Sequence, residues 1–192
     1  MPSVNTINSR SGFPIELRSA ILSAIHAFGT GDDAALATLM LPFASGTLAW
    51  PQGARKLFVH ARDGWPLRSL PLQHLTCEQS FKPFADALQR GGLTATNAAG
   101  DEKFPLALLL PPRQREQSRA DLARTVQRLD AGGTVVASIL NNEGARSGEA
   151  DMRHLLGSVQ SISKNHCRVF WATRNDATLD RALLDEWLLG DA

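Results

Sequence analysis

Leu106-Ala107-Leu108-Leu109-Leu110-Pro111-Pro112 is an apolar run with no polar interruption, closed by two prolines. A strand with one wet face alternates apolar and polar residues, so a continuous run predicts a strand buried on both faces. The prolines end it because neither carries an N–H for the sheet ladder. Downstream, Leu122, Val126 and Leu129 recur at helical spacing between Gln117 and Asp130, while Arg115, Arg119, Asp121, Arg124 and Arg128 take other faces. This predicts an amphipathic helix ending at Gly132-Gly133. Thr134 to Leu140 is β-branched and apolar and reads as a second central strand, broken at Asn141-Asn142-Glu143-Gly144. Ser147 caps a short helix through Leu156, with Glu149 and Asp151 in its first turn, and Cys167 to Ala172 forms a further strand. Strands separated by single helices need crossover connections, so the sheet is expected to be largely parallel.

The first half is less regular. Ile15, Leu17, Ile21, Leu22, Ile25 and Phe28 have helical spacing after Pro14. Leu57 to Ala61 reads as a strand between turns at Trp50-Pro51-Gln52-Gly53 and Asp63-Gly64, and Gln79 to Arg90 as a helix with Pro83 in its first turn. Ala95 to Lys103 is the expected loop before the βαβ half. The chain is read as one α/β domain, with 1–40 a helical extension, 41–175 the core and 176–192 a C-terminal helix or linker.

A formal charge of +1 gives no global attraction to nucleic acid or anionic membrane, although Arg113 to Arg128 is locally basic. No apolar run approaches the roughly 20 residues of a bilayer span, and the polar Met1 to Phe13 leader is unlike a signal, so a cytoplasmic protein without membrane attachment is expected. Cys77 and Cys167 lack Cys-x-x-Cys spacing and read as buried reduced thiols. His26, His60, His74 and His154 show no ligand spacing, so no metal site is expected.

Several motifs follow one another in a telling order: Cys77-Glu78-Gln79-Ser80-Phe81-Lys82-Pro83, Leu108-Leu109-Leu110-Pro111-Pro112, Asp121-Leu122, Gly132-Gly133-Thr134-Val135-Val136, Asn142-Glu143-Gly144-Ala145-Arg146-Ser147-Gly148-Glu149 and His166-Cys167. Together they resemble the N-terminal half of bacterial ribosomal RNA guanine-N2 methyltransferases of the small-subunit methyltransferase C type, over roughly residues 40 to 175. In that family two methyltransferase-like domains stand in tandem. The first has lost its cofactor site, and the second binds S-adenosylmethionine and methylates guanine. The resemblance implies a Rossmann-like, mostly parallel sheet with helices on both faces and a degenerate cofactor site. It implies no cofactor in this chain, S-adenosylmethionine in a second domain beyond it, and ribosomal RNA and a C-terminal methyltransferase domain as partners. A catalytic domain of this type carries an acidic-Gly-x-Gly loop after its first strand and an Asn-Pro-Pro-aromatic loop after its fourth; neither occurs here. The end of the chain near Leu188-Leu189-Gly190 falls where a linker to that second domain is expected.

No catalytic residue is assigned on this basis. Arg113, Arg115, Arg119 and Arg146 are candidate contacts to RNA phosphates, although arginines interleaved with Glu116, Asp121 and Asp130 also suit a solvated helix face. Asn141, Asn142 and Glu143 lie just past a strand end, where open α/β sheets bind ligands, and form a candidate residual pocket; a turn with a helix cap is the plainer reading. The expected function is that of a non-catalytic domain that helps hold RNA and supports its catalytic partner. The alternative is a stand-alone scaffold or homo-oligomeric module without RNA binding, docking through Leu179 to Leu189.

Overall fold

The structure is a computed structural model and describes residues 19, 32–97 and 100–190. The helix expected over Ile15 to Phe28 lies outside them. Seven strands form one sheet: β1 Lys56–Val59, β2 Leu75–Glu78, β3 Ala95–Thr96, β4 Phe104–Leu109, β5 Leu129–Leu140, β6 Gln160–Lys164 and β7 Cys167–Thr173. Their spatial order is β3-β2-β1-β4-β5-β7-β6. The pairs from β3 through β5 are all parallel, and β7 is antiparallel to both β5 and β6. The helices are α1 Asp32–Leu39, α2 Leu41–Ala44, α3 Trp65–Arg68, α4 Lys82–Arg90, α5 Arg115–Gln127, α6 Ala145–Leu156 and α7 Arg181–Leu189.

The apolar run behaves as its pattern demands, with every residue from Leu106 to Leu110 buried. Leu106, Leu108 and Leu110 join Phe58 and Cys77 under Leu36, Leu39 and Phe43 of α1 and α2. Ala107 and Leu109 join Leu57 on the opposite face, beneath Leu122 and Val126 of α5, Met152 and Leu155 of α6 and Trp187 of α7. Helices therefore cover both faces at the centre, as a parallel strand requires. Leu184 and Trp187, expected to dock a partner, are buried in this chain's own core, and Leu183 and Leu188 pack against it. Leu189 is left as the exposed leucine of that helix.

Three local expectations change. Gly132-Gly133 does not end a helix: α5 stops at Gln127, and both glycines lie within β5, where the register against β4 slips between Phe104 and Leu106. A Cβ on Gly133 would fall 3.0 Å from the carbonyl oxygens of Phe104 and Asp130, so the bulge needs glycine for backbone proximity. The strand at Cys167 is antiparallel because β6 precedes it as the other arm of a hairpin, which removes the need for a crossover helix. The last helix of the βαβ half begins at Ala145 after Gly144 in the left-handed region (φ 99), so Ser147 sits inside it and is not its cap.

Coverage is uneven at the other end of the sheet. β3 returns to β4 through residues 97–103, with no helix among the described ones, so the α5 side of β2 and β3 has no crossover helix over it. Val59, Glu78 and Thr96 line an open cleft there.

Gly148 sets how closely α6 lies on the sheet. A Cβ there would fall 2.6 Å from Ile139 Cδ1 and 3.2 Å from Phe170 Cζ. Gly148→Val is expected to destabilise the protein by about 1–3 kcal/mol through overpacking, measured as a lowered urea midpoint with an unchanged m-value.

Candidate functional site

Open α/β sheets bind ligands beyond the carboxyl ends of their strands, and this edge carries two clefts. The first, of about 290 Å³, lies at the ends of β1, β2 and β3, with His60, Glu78, Ser80 and Asn97 from the strand ends and Asp121, Arg124 and Arg128 from α5 and its end. His60 follows β1 directly and stands in the left-handed region (φ 54). Its Nε2 meets Asp121 Oδ2 at 2.8 Å, and the same carboxylate accepts from Gln117 Nε2 at 3.3 Å and from the Arg124 guanidinium. Burial by itself would raise the Asp121 carboxyl; hydrogen bonding and charge from His60, then from Arg124, outweigh it and hold the acid below the usual carboxylate range.

On the other wall Glu78, at the end of β2, pairs with Arg128. Arg128 is 7% exposed, its guanidinium lies 5.2 Å over the Phe104 ring, and its Nε has no hydrogen-bond partner among the described residues. Gln79 is committed to fastening the loops, donating to Ala61 O at 2.8 Å and accepting from Phe81 N at 2.9 Å. Cys77 lies beneath, and burial, with the charge of Asp63 adding to it, pushes its thiol up to about 12, so it is no nucleophile at neutral pH.

The second cleft, of about 100 Å³, lies between the ends of β4 and β5 and the starts of α5 and α6. Of the residues singled out in the sequence, Arg113, Arg115 and Glu143 line it, and Asn141, Asn142, Arg119 and Arg146 stand outside its lining. Asn141-Asn142-Glu143 forms a 3-10 turn leading into α6, with both asparagines exposed. Glu143 meets Arg113 at 2.8 Å. Arg115 and Arg119 both reach Asp151, each through Nε at 3.1 Å and a terminal nitrogen at 2.9 Å, and Arg119 also lies 5.1 Å over the Trp187 ring. Arg146 is exposed with no ion pair among the described residues. Leu110-Pro111-Pro112-Arg113, leaving β4, places no side-chain amide at this edge.

The first cleft escaped the sequence reading because its partners are 61 residues apart at His60 and Asp121 and 50 apart at Glu78 and Arg128. The one sequence signal was an acid about 20 residues beyond the first strand, the spacing at which dinucleotide folds contact a ribose, but β2 is too short to announce itself.

No family model and no curated protein matches this sequence. Solved structures do match its fold. The T. thermophilus 16S rRNA N2 methyltransferase in complex with AdoMet and guanosine aligns with a TM-score of 0.61 and 21% identity, over 75% of this chain and 39% of that one. A SAM-dependent O-methyltransferase from Thermotoga maritima aligns at 0.56 and 12% identity, over 83% and 71%. The N-methyltransferase NodS from Bradyrhizobium japonicum, in complex with S-adenosyl-l-homocysteine, aligns at 0.54 and 15% identity, over 83% and 98%. The sheet is thus of the Rossmann-like methyltransferase type. The expectation that this chain has no cofactor of its own is corrected by the same likenesses, because the fold is shared with proteins solved with AdoMet and with S-adenosyl-l-homocysteine. No helix among the described residues is long and apolar enough to cross a membrane.

Both clefts have an acid limit. At Asp151, burial raises the carboxyl but hydrogen bonds and charge from Arg115 and Arg119 overcome it, so this acid, like Asp121, is held low. A carboxyl depressed in the folded state stabilises above its unfolded pKa and loses that contribution as pH falls through the folded value. The contribution should be complete above about pH 5 and fade below about pH 4. Asp151→Asn is expected to cost about 1–3 kcal/mol at pH 7 and progressively less at lower pH, read from urea unfolding at pH 7 and pH 3.5.

Proposed function

We propose that this chain serves S-adenosylmethionine-dependent methylation of ribosomal RNA, as a methyltransferase-fold domain that holds RNA beside a catalytic domain and transfers no methyl group itself. One observation carries the reading: Arg113, Arg115 and Glu143 line a cleft at the carboxyl ends of β4 and β5, with the exposed Asn141-Asn142 turn and Arg146 on the segment that flanks Glu143, on a fold shared with an rRNA methyltransferase. Guanidiniums at a strand-end cleft suit phosphates, and exposed asparagine amides suit base or sugar edges. Leu110 before and Arg113 after the Pro111-Pro112 pair supply neither an amide nor an aromatic ring to hold a target amino group, which separates RNA holding from methyl transfer.

The first cleft is where a cofactor would be held, and its residues fit the two halves of S-adenosylmethionine unequally. Glu78 ends β2 as an acid placed for ribose hydroxyls, and Ser80 and Asn97 add polar groups at the rim. The nucleoside half therefore has a partner set. The amino-acid half has less: His60-Ala61-Arg62-Asp63 follows β1 in place of a glycine loop, and Asp63 is tied to Arg68 at 2.7 Å.

The test is calorimetric titration of the chain with S-adenosylmethionine and with adenosine. Saturable binding of both, with adenosine competing, is the expected result; no heat from either would remove the nucleoside cleft from the proposal.

For RNA, replacing Arg113 and Arg146 together by Ala is expected to weaken binding to a ribosomal RNA hairpin and lower its log–log salt slope by about 1–2. Arg115 and Arg119 are poorer probes because Asp151 holds both, and their loss would perturb the fold. Unchanged affinity and slope in the Arg113/Arg146 variant would exclude this edge as the RNA face.

A further inference from the structure

The titratable side chains that line the first cleft fall into two closed sets. Asp121, whose side chain is 5% exposed, takes His60 Nε2 at 2.8 Å, Gln117 Nε2 at 3.3 Å and the Arg124 guanidinium. Glu78 takes Arg128, whose guanidinium is also held over the Phe104 ring. Two guanidiniums therefore stand against two carboxylates, and the imidazole is spent on one of the same acids. What the lining leaves uncommitted among the described residues is uncharged: the exposed side chains of Ser80, Thr96 and Asn97. To these is added one buried N–H, at Arg128 Nε, which has no partner.

These sets decide what charge a ligand can carry there. A phosphate binds well where a guanidinium offers it a free fork. Here it would have to take Arg124 from Asp121 or Arg128 from Glu78, and a buried carboxylate stripped of its cation is costly. It would also stand beside both carboxylates. A nucleoside without that charge asks for no such exchange, because its hydroxyls and ring nitrogens are met by the neutral side chains and an acceptor on it suits the Arg128 N–H. With the ribose at Glu78, the substituent on its 5′ carbon meets the exit of β1, where His60 and Asp121 stand. We propose that the first cleft selects its ligand by charge, admitting a nucleoside whose 5′ substituent has no net negative charge and excluding its 5′-phosphate, with Asp121 as the specificity-determining residue. This rests on the nucleoside reading above and deepens it: an RNA strand, phosphorylated at every sugar, is kept out of the first cleft and left to the second.

The experiment is calorimetric titration of the unaltered chain with three ligands that share one nucleoside: adenosine, a 5′-alkylthio derivative that is bulkier but uncharged, and the 5′-monophosphate. The first two are expected to bind alike and the monophosphate about 10- to 100-fold more weakly. Asp121→Asn leaves Arg124 with spare charge and is expected to narrow that gap about tenfold. Should this variant fail to fold, the three ligands on the unaltered chain still decide. Monophosphate binding as tight as that of adenosine, or tighter, would overturn the exclusion while leaving the nucleoside reading intact. An equal loss from the alkylthio group and the phosphate would overturn it too, by making the exclusion one of size. An unchanged gap in folded Asp121→Asn would remove Asp121 from its role. If none of the three ligands binds, the nucleoside reading itself fails and the selection with it.

Discussion

A parallel strand buried on both faces is the constraint from which the rest of this structure follows. The run at β4 has no polar position to offer water, so something apolar must lie above and below it. α1 and α2 supply one layer and α5, α6 and α7 the other, each using the alternate residues that β1, β4, β5 and β7 present. That requirement weakens toward β3, an edge strand of two residues whose return connection brings no described helix. The exposed side of β2 and β3 is accordingly polar, with Thr76, Glu78 and Thr96 where a covered strand would carry Val or Ile. The first cleft results from a layer left incomplete, which places it at the strand ends without any dedicated insertion.

Leaving part of a sheet open brings charges to its face, and these are consumed locally. Asp121 takes His60 and Arg124, Asp151 takes Arg115 and Arg119, Glu149 takes Arg153 and Arg168, and Glu78 takes Arg128. In three of these four groups a buried carboxylate receives at least two cationic or hydrogen-bonding partners, the arrangement that offsets its desolvation. A sequence that looks locally basic from Arg113 to Arg128 is therefore largely self-neutralised. Within it Arg113 is exposed and shares Glu143, and beyond it Arg146 is exposed as well.

What was legible in the sequence tracks how local each signal is. β4 stands where its run placed it; β5 includes the expected Thr134 to Leu140 but begins at Leu129, the third apolar residue counted in the helical pattern, so α5 keeps only Leu122 and Val126 of that pattern. β2, β3 and β6 are short and mixed, with too few residues for a period to emerge. Gly132-Gly133 misled because glycine reports backbone permissiveness and not which element uses it; here a bulge does. At the second cleft the contiguous stretch after β5 supplies Glu143 and Gly144 to the lining, and Arg113 and Arg115 come from the exit of β4 and the start of α5. The first cleft was not readable, because each of its pairs is assembled by the fold from segments with no shared sequence pattern.

The exit from β1 shows most directly how this chain treats a position where methyltransferase folds commonly carry glycines. A glycine in the left-handed region lets the backbone come close to a ligand at little cost. His60 holds that region with a side chain, which is sparsely populated for non-glycine residues and is sustained only when its surroundings over-determine it. They do so here: the imidazole is fixed to a buried Asp121, and the next N–H, of Ala61, is bonded to Glu78 O at 3.0 Å. The consequence is a change in the kind of contact on offer. Where a glycine loop presents backbone amides, this edge presents an imidazole and two carboxylates, each already paired with a neighbour across the cleft.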